Sequence, residues 1–261
     1  STSDRSFGMF DNAVIEGIAI VFMVLGSLPF VLYLHAVRGG AKRLWRDTQV
    51  RWFMGIVLVA LLALSGWQWL AGGMAIDDAV RYASFNAISV LTGTGYSSAD
   101  YSGWGSFALP DFTVLMFIGG CTGGTTGGIK VFRFQVLYAT ARVQIHQLIQ
   151  PHGVFPMKYN HRPIPETVPG AVMGFFFLFI VSFGVLAMAL SLMGLDYITS
   201  ISGAATALAN VGPGLGPIIG PSGTFQPLPE AAKWLLSFAM LLGRLELFTV
   251  LILLVPTFWR D

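Results

Sequence analysis

Uncharged, mostly apolar runs extend from Gly17 to Val37, Trp52 to Ile76 and Thr167 to Leu195. Each reaches or exceeds the roughly 20 residues that a helix needs to cross about 30 Å of hydrocarbon, so the pattern predicts three spanning helices. Trp234 to Trp259 is a fourth candidate, interrupted by Arg244 and Glu246, and Phe112 to Ile129 is a fifth that starts apolar and fills with glycine halfway. Tyr82–Ala99 and Tyr197–Pro229 are also uncharged, yet they carry too much Ser, Thr, Gly, Asn and Pro to face lipid as helices. They read as re-entrant segments.

The order of spanning helix, re-entrant segment, spanning helix occurs twice, once over 52–76, 82–99 and 112 onward, and again over 167–195, 197–216 and 234–259. An offset of 117 residues superposes Ala87 on Ala204, Ser89 on Thr206, Leu91 on Leu208 and Gly95 on Gly212. Each re-entrant segment opens with a stretch suited to a short helix, Ala83–Leu91 and Ser200–Ala209. Each then turns glycine-rich, over Thr92–Ser97 and Asn210–Gly214. Backbone without internal hydrogen bonds is tolerated at membrane depth only when buried in protein or lining a watery cavity. Glycine admits φ > 0, which lets successive carbonyls turn toward one axis, and a ring of carbonyls can replace the hydration shell of a large monovalent cation. The C-terminal end of each half-helix adds partial negative charge at the same place.

The segment from Pro110 to Gly119 can descend only ~15 Å as helix, half the hydrocarbon thickness. Six of the ten residues from Gly119 to Gly128 are glycine, each costing about 1 kcal/mol relative to Ala in a helix. The helix is therefore expected to break at mid-membrane, as in ion and substrate pathways; a close-packing surface between helices is the alternative. Arg244 lies ten residues past Trp234, again ~15 Å deep. Unless it faces protein or water, a central Arg costs about 2.5–3.5 kcal/mol. Glu246 projects to a different side of the helix and is a poor partner.

Composition agrees: 54% of the residues are hydrophobic and 11% charged, against about 25% charged in soluble domains, and the mean hydropathy is +0.69. Soluble and disordered classes are excluded. One cysteine, Cys121, and four scattered histidines offer no disulfide framework and no metal-ligand spacing, and a net charge of +2 is too small for nucleic-acid binding. Charge placement sets the topology. Arg38, Lys42, Arg43, Arg46 and Arg51 share one loop, and Lys130, Arg133, Arg142, Lys158 and Arg162 another; the excess of Lys and Arg makes both cytoplasmic. Outside, Asp4, Asp11, Glu16, Asp77, Asp78, Asp100, Asp111, Asp196 and Glu230 face only Arg5, Arg81 and Lys233. Such a vestibule concentrates cations; the same distribution also follows if acids merely fill the side from which Lys and Arg are kept. No nucleophile, base or metal set for an enzyme is found.

Leu91–Ser98 (LTGTGYSS), Gly119–Lys130 (GGCTGGTTGGIK), Asn210–Gly216 (NVGPGLG) and Gly243–Glu246 (GRLE) together resemble the Trk/Ktr family of potassium-uptake membrane subunits, in the bacterial Trk-type form. The resemblance covers essentially the whole chain, aligned with the family's C-terminal half. It implies an all-α polytopic membrane protein of the bacterial inner membrane, with four parallel helix, pore-loop, helix repeats around a pseudo-fourfold pore. Residues 1–51 then end the second repeat, 52–166 form the third with its loop at 119–128, and 167–261 form the fourth. Ser1–Asp4 resembles a pore-loop tail and no initiator Met is present, so a fragment of a longer protein is expected. The resemblance further implies K⁺ as the transported ion, with no cofactor in this chain. Its filter is Gly93, Thr94, Gly95, Asn210, Val211 and Gly212, with potassium held through the carbonyls of Gly93, Thr94, Asn210 and Val211. A gate is implied at Gly119, Gly120, Gly123, Gly124, Gly127, Gly128 and Arg244, with Arg244 facing the pore and bonding loop carbonyls. Implied partners are the N-terminal half of the same protein, a homodimer mate, a cytosolic nucleotide-binding RCK (TrkA-type) ring and the lipid bilayer. An alternating-access cation symporter is the competing reading, but its usual inverted repeats are not seen.

Overall fold

The computed structural model describes residues 6–40, 42–153, 155–160, 162–165, 167–245, 247–253 and 255–259. The pore-loop tail expected at Ser1–Asp4 lies outside them, as does Glu246. The first elements are α1 (Ala13–Ser27), α2 (Phe30–His35) and α3 (Lys42–Arg46). Next come α4 (Thr48–Leu70), α5 (Ile76–Leu91), α6 (Ala108–Phe117) and α7 (Val131–Ile149). A two-residue antiparallel pair, β1 (Lys158–Tyr159) and β2 (Arg162–Pro163), precedes α8 (Thr167–Leu192). The rest is α9 (Tyr197–Ala209), α10 (Gly216–Ile219), α11 (Glu230–Arg244) and α12 (Leu247–Leu253). The fold is thus a polytopic helical membrane protein.

Two helices, α4 and α8, are long and apolar enough to cross a membrane as continuous spans. Their outward residues, Leu58, Val59 and Leu62 on α4 and Phe177 and Ile180 on α8, are large, apolar and exposed, as lipid contact requires. Asp47 starts α4 by accepting from the amides of Gln49 and Val50 at 2.9 and 3.4 Å, which satisfies two otherwise orphaned donors. α9 is started in the same way by Asp196 and ended by Asn210, whose φ of 55° is the left-handed stop of a helix C-terminus.

Two expected spans are corrected. The run 17–37 is not one helix: α1 and the segment from Phe30 meet at 98°. Pro29 lacks an N–H and holds Leu28 extended, at φ −86° and ψ 158°. The run 234–259 is likewise bent, by 108° between α11 and α12. The short helices expected from Ala83 and Ser200 begin earlier, at Ile76 and Tyr197: Asp77 and Asp78 sit in the first turn of α5 and Asp196 caps α9, as suits a helix N-terminus.

Packing builds one core around α5 and another around α9. Phe53 and Leu64 of α4 bury against Phe85 and Leu91 of α5, with the Tyr101 and Phe112 rings stacked at 4.1 Å. Phe175 and Leu190 of α8 and Leu236 of α11 enclose Leu208 of α9. Arg81 of α5 is tied to Glu16 of α1 through Nε and Nη2 at 2.8 and 2.9 Å. That pairing fixes α5 to α1.

Candidate functional site

The two glycine-rich segments are held by equivalent hydrogen bonds. The Thr94 amide donates to the Ser89 carbonyl at 2.9 Å, and 117 residues later the Val211 amide donates to the Thr206 carbonyl at 3.1 Å. The Gly95 amide reaches the same Ser89 carbonyl at 3.3 Å, and the matching Gly212 amide reaches the Thr206 hydroxyl at 2.9 Å. Beyond the bend, the Ser98 amide donates to Asn86 Oδ1 at 3.1 Å and its counterpart Leu215 to Ser202 Oγ at 2.9 Å. Amides are thus pulled back into the helix that precedes them. Among the described residues, no donor engages the carbonyls of Gly93, Thr94, Gly95, Asn210, Val211 or Gly212.

Gly95 and Gly212 have φ of 76° and 123°, a region that penalises any residue with a Cβ. A Cβ on Gly95 would also overlap the Val211 carbonyl of the neighbouring strand. The two segments therefore lie in contact, Gly93 beside the Asn210 carbonyl and Gly95 beside the Val211 carbonyl, and Thr94, Gly95, Val211 and Gly212 line a cavity of about 470 Å³ together with Pro213. Asn210 turns its side chain away from the cavity, donating to the Met240 carbonyl of α11 at 3.1 Å.

Directly beneath lies the segment 118–130, where α6 ends at Phe117 and no helix resumes until Val131. Its ends are joined: Gly119 donates to Ile129 at 2.8 Å, Ile129 to Phe117 at 2.9 Å and Val131 to Gly120 at 3.0 Å. Gly127 packs so closely under α9 that a Cβ there would overlap the Ala209 carbonyl. Helical continuation and side-chain bulk are both excluded.

The tip of this loop docks where α1 breaks. Cys121 and Thr125 donate their amides to the Ser27 and Gly26 carbonyls at 2.9 and 3.0 Å, and Phe30 donates to Gly123 at 3.2 Å. The bend at Leu28–Pro29 leaves the last carbonyls of α1 without helical partners, and the loop amides supply them. Sequence reading, which took 17–37 as continuous, missed this contact; Pro29 inside the apolar run was the available signal.

On the inner side Arg244 Nη1 donates to the Thr125 carbonyl at 3.0 Å. Lys130 Nζ donates to the Thr126 carbonyl and reaches the Thr126 hydroxyl at 3.1 Å. Lys130 was not among the expected gating residues, although it directly follows the glycine run. Both cations border a cavity of about 190 Å³ that also contacts Gly124, Gly127, Arg133 and Phe179. Arg133, read from sequence as part of a basic cytoplasmic segment, lies over the Phe175 ring at 3.7 Å; Arg142, nine residues further along α7, is exposed.

A family model described as TrkH, cation transport protein, matches residues 1–260. The chain is 48% identical over 262 residues to the Trk system potassium uptake protein TrkI of Halomonas elongata, covering 100% of this chain and 53% of that protein. It is 33% identical over 264 residues to the Trk system potassium uptake protein TrkH of Escherichia coli, covering 100% of this chain and 54% of that protein. The crystal structure of the potassium transporter TrkH from Vibrio parahaemolyticus superposes with a TM-score of 0.92 at 34% identity, over 99% of this chain and 56% of that one. The chain spans about half the length of the curated relatives it matches.

Proposed function

Because the chain belongs to the TrkH family of cation transport proteins, we propose that it supplies two of the four walls of a potassium-uptake pore in the bacterial inner membrane. Residues 52–166 are the third repeat and 167–261 the fourth, and 1–51 close the second. The N-terminal half of the same protein provides the remaining filter strands. The observation that carries this reading is the set of six carbonyls that no donor among the described residues engages, on two segments whose amides turn back to the same positions, Ser89 and Thr206, 117 residues apart.

A cation drawn to the acidic outer face exchanges water for the carbonyls of Gly93, Thr94, Asn210 and Val211, with Gly95 and Gly212 providing the turn. The C-terminal ends of α5 and α9, at Leu91 and Ala209, add negative potential there. No bond is made or broken. Below the filter the loop 119–128 is the gate, with Gly119, Gly120, Gly123, Gly124, Gly127 and Gly128 giving it a slim, non-helical path. Arg244 and Lys130 hold its carbonyls and put positive charge on the route of a cation, so the closed loop obstructs both sterically and electrostatically. Regulation enters from a cytosolic nucleotide-binding ring of the RCK type, with the transporter as a homodimer.

Rubidium uptake into liposomes carrying the full-length protein, competed with Na⁺, tests the assignment. Uptake that K⁺ and Rb⁺ suppress much more strongly than Na⁺ is the expected result. Equal suppression by Na⁺ would remove the potassium reading, and absence of any cation flux would remove the pore.

A further inference from the structure

The intramembrane loop is bonded from the cytoplasmic side as well as from α1 and Arg244. Gln49, in the first turn of α4, is buried and bonded at both ends of its side-chain amide. Its Oε1 accepts from the Thr122 amide of the loop at 2.8 Å. Its Nε2 donates to the Tyr159 hydroxyl at 2.7 Å. Tyr159 belongs to the short β1–β2 hairpin that links the third and fourth repeats, and its ring packs edge-on against Phe132 at 5.0 Å. The turn of the hairpin is anchored to the same place: Asn160 Nδ2 donates to Asp47 Oδ2 at 2.9 Å and Asn160 Oδ1 accepts from the Thr48 amide at 3.1 Å. Gln135 of α7 donates to the Thr48 carbonyl at 2.8 Å. The N-terminus of α4 is thus a node where the loop, the helix that follows it and a cytosolic hairpin meet.

We propose that Gln49 is a positioning residue for the gate, clamping the loop at Thr122 in its closed path and making that clamp dependent on the seating of the 158–163 hairpin through Tyr159. A primary amide is suited to this because it accepts from one side and donates to the other. Displacing the hairpin removes the acceptor at Nε2 and leaves a buried donor unsatisfied, which favours rotation of the amide and loss of the Thr122 bond. The cytosolic hairpin and the intramembrane loop then share one equilibrium. This inference rests on the loop being the gate.

Single-channel recording of the full-length protein in liposomes tests it. Gln49→Leu should raise open probability in the absence of any cytosolic partner, by roughly five- to tenfold for one buried hydrogen-bonded link. Tyr159→Phe keeps the ring and its packing on Phe132, is expected to fold, and should raise open probability in the same direction. The double variant should exceed the larger single effect by little, because both changes act on one link. Gln49→Glu keeps an acceptor for Thr122 and a partner for the Tyr159 hydroxyl, and should stay near wild type. A purely structural Gln49 would lower the yield of protein and leave open probability unchanged in Tyr159→Phe, and that result overturns the proposal. Arg244→Ala serves as the comparison: if it opens the pore while Tyr159→Phe and Gln49→Leu do not, the clamp fails and the gate stands. If none of the three opens the pore, the gate reading fails and the clamp with it.

Discussion

A guanidinium at mid-membrane depth costs about 2.5–3.5 kcal/mol unless it finds acceptors or water, and Arg244 finds the Thr125 carbonyl at 3.0 Å. A hydrogen bond to a charged group contributes about 1.5–3 kcal/mol. If it exists only in the closed loop, Arg244→Ala should raise the open-to-closed ratio by roughly 10- to 150-fold, which recording of open probability measures directly. At the proposed filter, the relevant chemistry is the missing Cβ. Gly95→Ser places an atom in the Val211 carbonyl, and Gly212→Ser forces a side chain onto φ of 123°. Both should tilt carbonyls off the pathway and lower the K⁺/Na⁺ permeability ratio in reversal-potential measurements; folded variants with an unchanged ratio would take these strands out of the filter.

Two helix breaks serve one another at the level of elements. The loop 119–128 cannot be helix, so its amides need acceptors, and the bend at Leu28–Pro29 offers the Gly26 and Ser27 carbonyls. Pro29→Ala gives the chain an N–H that can bond Leu25 and continue α1. The amides of Cys121 and Thr125 should then exchange hydrogen faster in mass-spectrometric measurements, whereas unchanged exchange would show that the break does not sustain the loop. The start of α9 makes a separate prediction. Asp196 accepts from the Thr199 amide at 3.1 Å, and its hydrogen bonds to Thr199 hold its carboxyl below the usual range. A carboxyl with a folded pKa below its unfolded one stabilises fully above the unfolded value, and that contribution is lost as pH falls through the folded value. Asp196→Ala should lower the melting temperature at neutral pH, by loss of a cap of about 1 kcal/mol, and the gap to wild type should close under acid conditions.

For the whole molecule, the two cores matter less than what joins them. Arg81 binds α1 to α5 through Glu16 and reaches Asp11 at 3.0 Å, so part of the outer acidic charge is engaged within the chain rather than offered to ions. On the cytoplasmic side, Arg133 is turned inward over Phe175 and Arg142 outward. Arg142→Glu should therefore weaken association with a cytosolic ring in a co-purification assay while leaving ion selectivity intact. Arg133→Glu should act on the inner cavity instead, changing conductance with docking unaltered. If Arg142→Glu altered selectivity and left docking unchanged, the ring would have to sit elsewhere.

The amino-acid sequence by itself determined the membrane class, the helix followed by glycine-rich chain that occurs twice, 117 residues apart, and the loss of helix at Gly119–Gly128. Each of these is a local property, written in unbroken apolar runs, in glycine content and in a constant 117-residue spacing. The helical continuity of 17–37 was misread because hydropathy does not register direction: an apolar run stays apolar through the bend at Pro29. Only the tertiary structure decided which groups meet. Arg244 and Thr125 are 119 residues apart and Thr122 and Gln49 are 73 apart, and no periodicity along the chain links such pairs. The partner of a buried donor is chosen by where two helices happen to break side by side, and that is a property of the packed chain.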